Sequence, residues 1–219
     1  MKLAVFDCDG TLVDSQVNII RAMDDTFARY HMAPPCPKAT RRVVGLSLVE
    51  AMQALLPEAE EDLHQRMAED YKLAFQRLRA VGQLDAEPLY PGVREGLREL
   101  EARGWLLGVA TGKSDRGLQL CLEHHGLHPH FITLQTADRH PSKPHPAMLR
   151  AAMRAAGVEC ARTVMIGDTS FDMEMAQAAG CTALGVDWGY HDVPELHAAG
   201  AHHVVEDMDR LLSHLETWA

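Results

Sequence analysis

Positive charge is in short supply in this chain: 21 Lys and Arg stand against 31 Asp and Glu, a formal net charge of −10 at pH 7. Affinity for a nucleic-acid backbone comes from clustered Lys and Arg, so the deficit excludes that class of partner, and an anionic small molecule would need a local positive site and a metal. Long apolar runs are missing too. No stretch approaches the ~20 apolar residues of a membrane-spanning helix. The opening MKLAVFDCDG has an apolar run far shorter than a signal-peptide core, with acids directly behind it. The expectation is a cytoplasmic protein with no membrane partner. Its five cysteines (Cys8, Cys36, Cys121, Cys160 and Cys181) are odd in number, scattered and without CxxC spacing, which fits reduced thiols. No internal repeat or low-complexity tract occurs, and Pro34-Pro35-Cys36-Pro37 reads as a stiff local turn.

What is present is an ordinary globular composition, 47% hydrophobic and 24% charged over 219 residues, enough for one domain with an insertion or two small ones. The strand Leu3 to Phe6 comes first. After residue 90, apolar runs alternate with segments of helical period, the pattern of a parallel sheet wrapped by helices. Strands are expected at 105–111, 131–134, 163–167, 182–186 and 203–205, with helices at 92–103, 114–125, 146–156, 170–179 and from Met208. Gly104, Gly126, Gly157 and Gly180 supply the left-handed stops just past four of those helices. Residues 16–86 break the rhythm with four helical stretches and no strand: 17–31, 39–44, 48–56 and 60–81. The expected fold is α/β, a doubly wound, Rossmann-like parallel sheet formed by 1–15 and 87–219, with 16–86 inserted as an all-helical cap.

The chemistry-bearing residues fall at strand ends. Asp7-Cys8-Asp9-Gly10-Thr11 leaves the first strand as two carboxylates one residue apart in a Gly-Thr turn. A hard divalent cation takes oxygen ligands and keeps several waters, so one or two such carboxylates plus a substrate phosphate can hold it. Asp7 would then be near enough to phosphorus to act as nucleophile. Thr111-Gly112-Lys113 closes the 105–111 strand, Ser142-Lys143-Pro144 lies in a loop, and Gly167-Asp168-Thr169-Ser170-Phe171-Asp172 follows the 163–167 strand. Loops at the carboxyl ends of a doubly wound sheet surround one crevice, which brings Asp7, Thr111 and Asp168 together. Asp168 and Asp172 are four apart on one helix face, although an acid at that position also serves as an ordinary cap. The thirteen histidines have no matching Cys or carboxylate cluster and read as solvent-facing, and Cys8 reads as a small buried filler.

This set of motifs, in this order, resembles the haloacid dehalogenase superfamily of phosphohydrolases over residues 1 to about 206, and the cap placement resembles the subfamily whose helical cap follows the first motif. The resemblance implies that Asp7 attacks phosphorus to give an aspartyl-phosphate. Asp9 would protonate the leaving alkoxide and then deprotonate water. Mg²⁺ would be bound by the Asp7 and Asp168 carboxylates and the Asp9 backbone carbonyl, with Asp172 in support. Thr111, Gly112 and Lys143 would hold the phosphoryl oxygens, and a monomer or homodimer would act on a small-molecule phosphate ester.

Asp9 is the acid that dehalogenases and phosphonate cleavers of this superfamily replace, so its presence favours phosphate esters. Phosphosugar mutases of the fold carry cations around a cap-loop Gly, whereas here Gly45 has Val44 and Leu48 beside it. A β-phosphoglucomutase-like enzyme is therefore the alternative, with a non-catalytic binding protein behind it. The chain looks most like the phosphoglycolate phosphatase group, which often carries Thr-Asn-Lys where Thr111-Gly112-Lys113 stands. Arg42 and Gly45 are the cap candidates for substrate specificity, and the 188–191 loop is a further candidate to meet the leaving group. By charge counting, small monophosphates with short, polar or weakly anionic leaving groups are the expected substrates.

Overall fold

The computed structural model describes residues 1–218. Strands β1 (Lys2–Phe6), β2 (Trp105–Thr111), β3 (Thr133–Thr136), β4 (Thr163–Gly167), β5 (Thr182–Val186) and β6 (His203–Val205) form one parallel sheet in the order β3-β2-β1-β4-β5-β6. Leu3 and Val5 enter one apolar cluster with Met148 and Met165, while Ala4 and Phe6 enter another with Leu107 and Ile166. That alternation is what a strand buried on both faces must show. Strand order reverses at β1, which has β2 on one side and β4 on the other, so the ligand crevice lies beyond the carboxyl ends of these three strands.

Between β1 and β2 run α1 (Gln16–Arg29), α2 (Pro37–Arg42), α3 (Leu48–Leu55) and α4 (Glu61–Ala80). They pack around an apolar cluster of their own that includes Met23, Phe27, Met52, Met67 and Tyr71. The chain enters and leaves this helical block side by side. Asp14 N–H donates to the Pro88 carbonyl at 2.9 Å and Tyr90 N–H to that of Leu12 at 3.1 Å.

The remaining helices are α5 (Val93–Ala102), α6 (Asp115–His124), α7 (Ala147–Ala156), α8 (Ser170–Ala179), α9 (Val193–Ala198) and α10 (Met208–Thr217). Gly157 and Gly180 end α7 and α8 at φ +64° and +76°. Among the described residues no helix is long and apolar enough to cross a membrane.

Two elements differ from the sequence expectation. The strand expected at 131–134 forms at Thr133–Thr136, because residues 128–130 make a 3₁₀ turn and the register pairs Gly108 with Thr133. Phe131 packs into the core ahead of the strand and Ile132 is exposed. Helix α9 was not expected at all. Its signal is local: Asp192 and Glu195 form a reciprocal capping box with proline in the first turn.

The core assignment has a direct consequence. Leu97 on α5 is fully buried, so Leu97→Ala is expected to lower the unfolding free energy by about 2–5 kcal/mol in urea melts. Leu73 on α4 is 48% exposed, and Leu73→Ala should shift it by no more than about 0.5 kcal/mol. Equal losses at the two sites would contradict this core.

Candidate active site

Asp7 extends β1 by one residue, its N–H donating to the Ile166 carbonyl at 2.9 Å. The chain then turns at Gly10 with φ +85°, where a Cβ would come within 2.8 Å of Asp168 Oδ1 and closer to Oδ2, so glycine alone fits. Asp168, just past β4, accepts from the Thr11 hydroxyl at 2.7 Å and from Tyr190 N–H at 2.9 Å. Asp172 in the first turn of α8 accepts from Thr169 N–H at 3.1 Å and from its hydroxyl at 2.8 Å. Its other oxygen accepts from the Lys143 ammonium at 2.6 Å. The capping and chemical readings of Asp172 are therefore both true of one carboxylate.

Lys143 is buried, with Nζ also 3.0 Å from Asp7 Oδ1. Asp7, Asp168 and Asp172 each present an oxygen within 4.8 Å of the others. Burial pushes the Asp7 carboxyl up to about 7, with Lys143 pulling against it and Asp172 and Asp9 adding to it. Burial, then Asp7 and Asp172, drives Asp168 well above the usual carboxylate range. Burial also works against the charge on Lys143, yet Asp172 and Asp7 hold it above an ordinary lysine. Asp7 Oδ2 is buried without a hydrogen-bond partner. An orphaned carboxylate oxygen beside two further buried carboxylates is the donor set a hard divalent cation takes, so these residues fit Mg²⁺.

The Asp9 side chain turns away from that cluster. It accepts from the Ser15 hydroxyl and pairs with Lys113 Nζ at 2.7 Å. Asp7 and Asp9 both line a cavity of about 180 Å³ between the sheet end and the helical block. Its apolar wall includes Ile19 and Met23 of α1, Val44 and Leu46 of the α2–α3 turn, and Tyr71 and Phe75 of α4, and Thr40, Lys72, Gln76 and Arg79 line it as well.

Thr111 and Gly112 also line the cavity, and the Thr111 hydroxyl accepts from Lys113 N–H at 3.3 Å. A Cβ on Gly112 would come within 2.7 Å of the Gly45 carbonyl oxygen and closer to that of Leu46. The asparagine that the phosphoglycolate phosphatase group often carries has no room under the turn as it sits. Gly45, at φ +98°, lies against Thr169 and reaches the cavity.

Arg42 is elsewhere. Its guanidinium forks onto Glu195 at the start of α9, and its carbonyl takes a 3.2 Å contact from His191 Nε2. Because His191 Nδ1 accepts from Ser170 N–H at 3.1 Å, the proton is on Nε2. With Ser47 N–H on the Ser142 hydroxyl at 2.8 Å, these contacts seat the helical block on the sheet. The 188–191 loop is beneath Asp168 rather than in the cavity: Trp188 donates to the Thr11 carbonyl at 3.1 Å, and Tyr190 holds Asp168.

Lys113, Ser15 and Thr11 carried no predicted role, nor did Ile19, Met23, Tyr71 and Phe75 of the apolar wall. Thr11 and Lys113 sit inside quoted motifs, but their partners are distant in the chain.

Comparison with known proteins finds relatives along most of the chain. A family model described as haloacid dehalogenase-like hydrolase matches residues 4–186. A protein named probable phosphatase IndB from Dickeya dadantii is 36% identical over 217 residues, 96% of this chain and 91% of the relative. One named phosphoglycolate phosphatase from Rhodospirillum rubrum is 32% identical over 215 residues, 96% of this chain and 89% of that one. The crystal structure of a hydrolase from Pseudomonas syringae superposes with a TM-score of 0.86 at 27% identity, covering 100% of both chains.

Two outcomes follow from the charge cluster. Lys143→Met strips the buried carboxylates of their ammonium and should cost about 3–5 kcal/mol in metal-free unfolding near pH 8, with part recovered on adding Mg²⁺. An unchanged melt would mean that the ammonium does not balance the cluster. Folding raises the Asp7 carboxyl to about 7, so the folded state holds that proton more tightly than the unfolded chain. The contribution of Asp7 to stability therefore declines as pH rises from about 4 to about 7. Since the cation takes the ionised form, Mg²⁺ should raise Tm more near pH 8 than near pH 5.5, and a pH-independent shift would remove Asp7 from the metal site.

Proposed function

This chain belongs to the haloacid dehalogenase-like hydrolase family, and we propose that it is a Mg²⁺-dependent phosphatase that hydrolyses a small phosphate monoester through a phosphorylated Asp7. The observation that carries this is the buried Asp7, beside the Lys143 ammonium at 3.0 Å and facing a cavity shared with Asp9. The Asp7 and Asp168 carboxylates and the Asp9 carbonyl would hold the cation, with Asp172 in support. When bound, Mg²⁺ withdraws charge from the phosphoryl oxygens and allows the surrounding carboxylates to stay ionised.

In the first step the Asp7 carboxylate attacks phosphorus while the bond to the leaving oxygen breaks. Asp9 delivers its proton to that oxygen. Water then attacks the phosphorylated Asp7, Asp9 takes the proton from it, and inorganic phosphate leaves with Asp7 restored. Ser15 and Lys113 fix the Asp9 carboxylate for both transfers. Lys143 neutralises charge on the equatorial oxygens, while the Thr111 hydroxyl and Gly112 N–H orient them. Residues 16–86 would act as a cap that excludes water from the 1–15 and 87–219 core. A phosphosugar mutase is not favoured, because Val44 and Leu48 line the cavity where its second phosphate would need cations.

Substitution of the two acids separates their roles. Asp7→Asn should abolish turnover with Tm equal or raised, because a neutral amide relieves the carboxylate cluster. Wild-type turnover in that variant, with deamidation excluded by mass, would remove Asp7 as nucleophile. Asp9→Asn should slow an alkyl phosphate by about 10²- to 10⁴-fold and a nitrophenyl phosphate by less, since nitrophenolate leaves without a proton. An equal loss on both esters would assign Asp9 some other role.

A further inference from the structure

Two of the buried polar atoms that lack a hydrogen-bond partner belong to residues lining the same cavity. Asp7 Oδ2 is one, and the cation proposed above accounts for it. The other is Oγ1 of Thr40 in α2, a fully buried side chain. The remaining orphans among the described residues, on Glu50 and His64, lie outside the lining. A threonine in a helix can donate to the carbonyl one turn earlier. Thr26 of α1 does so, to the Ala22 carbonyl at 2.7 Å. Thr40 does not, whereas the other buried threonines among the described residues all have partners.

The exposed lining residues Gln76, Arg79 and Arg116 mark the mouth of the cavity, and the buried Asp7 and Thr40 mark its inner wall. Asp7 stands on the sheet side and Thr40 on the side of the helical block. In-line attack from Asp7 directs the leaving oxygen to the far side of phosphorus, the side on which the block stands. A buried hydroxyl left unpaired is destabilising, and a ligand oxygen in the cavity would relieve that loss. Resting on the phosphatase reading, we propose that Thr40 is a specificity-determining residue: its hydroxyl donates to an oxygen carried by the leaving group, so that the preferred substrates are phosphate esters whose alcohol bears a further hydroxyl or carboxylate.

Two pairs of primary alkyl esters matched in shape test this with Mg²⁺: 2-phosphoglycolate against isobutyl phosphate, and glycerol 3-phosphate against 2-methylbutyl phosphate. The ratio of kcat/KM within a pair, compared between variants, cancels the reactivity of the leaving group. The wild type should prefer the oxygenated member of at least one pair, and the responding pair tells carboxylate from hydroxyl. Thr40→Val should lower that preference about 10-fold, the scale of one hydrogen bond, with the loss mainly in KM. Thr40→Ser should retain most of it. Without metal or ligand, Thr40→Val should melt no lower than the wild type, since no bond is lost. No preference in either pair, a preference that survives Thr40→Val, or a lowered Tm in that variant would overturn the inference and leave the phosphatase intact. Hydrolysis of none of the four esters would count against the phosphatase instead. Calorimetric binding of 3-phosphonopropionate and 3,4-dihydroxybutylphosphonate then decides for Thr40: about 10-fold weaker binding of either to Thr40→Val upholds its role, and equal affinity, or no binding to either protein, overturns it.

Discussion

The balance of charge around Lys143 is the constraint on which the catalytic end of this protein depends. Three carboxylates with oxygens within 4.8 Å of one another, all buried, cannot ionise together against a single ammonium. Burial above all, with the neighbouring carboxylates adding to it, raises the proton affinity of Asp7 and Asp168. A divalent cation together with the ammonium would bring three ionised carboxylates to neutrality, so metal and lysine complete the site jointly. The scaffold's part is to stop the acids from moving apart. Thr11 and Tyr190 grip Asp168, Thr169 grips Asp172, and Gly10 removes the side chain that would push Asp168 away.

The sheet end supplies charge and the helical block supplies shape. The contacts between them are few and directional: the Arg42–Glu195 fork, His191 on the Arg42 carbonyl, and Ser47 on Ser142. Ser142 immediately precedes Lys143, and His191 N–H donates to the Asp168 carbonyl at 3.3 Å, so the residues that seat the block are built on the same loops as the carboxylate cluster. Gly112 sets how deep it sits, since the Gly45 and Leu46 carbonyls occupy the volume a side chain would need. The proposed acid-base residue lies at the junction, with Asp9 on the cavity wall and its carboxylate tied to Ser15 and Lys113.

Much of this was legible in the sequence because strand ends are. Asp7, Thr111 and Asp168 each close a short apolar run, and a doubly wound sheet has one edge at which such ends converge. Lys143 lies in a loop with no periodicity, and only the Lys-Pro pair in its motif marked it. What escaped did so for physical reasons. The Arg42–Glu195 fork joins residues 153 apart, and a long-range ion pair leaves no local pattern. Met23 and Tyr71 sit on the apolar stripes of α1 and α4, where a residue that lines a cavity and one that fills a core obey the same helical spacing. The 188–191 loop looked like a substrate loop because it follows a strand. Instead its Tyr190 backbone N–H holds the Asp168 carboxylate, and its Trp188 side chain holds the Thr11 carbonyl.

The scarcity of positive charge seen in the composition acquires a sharper meaning at the site. With a net charge of −10, the protein offers a phosphate ester no general attraction, and the field over much of its surface opposes one. The two lysines closest to the acids are committed to them, each within 3.0 Å of a carboxylate. In the proposed reaction, attraction for the phosphoryl group would come from the metal-loaded cluster. At the other end the helical block presents aliphatic and aromatic walls together with polar and cationic side chains, Thr40, Lys72, Gln76 and Arg79 among them.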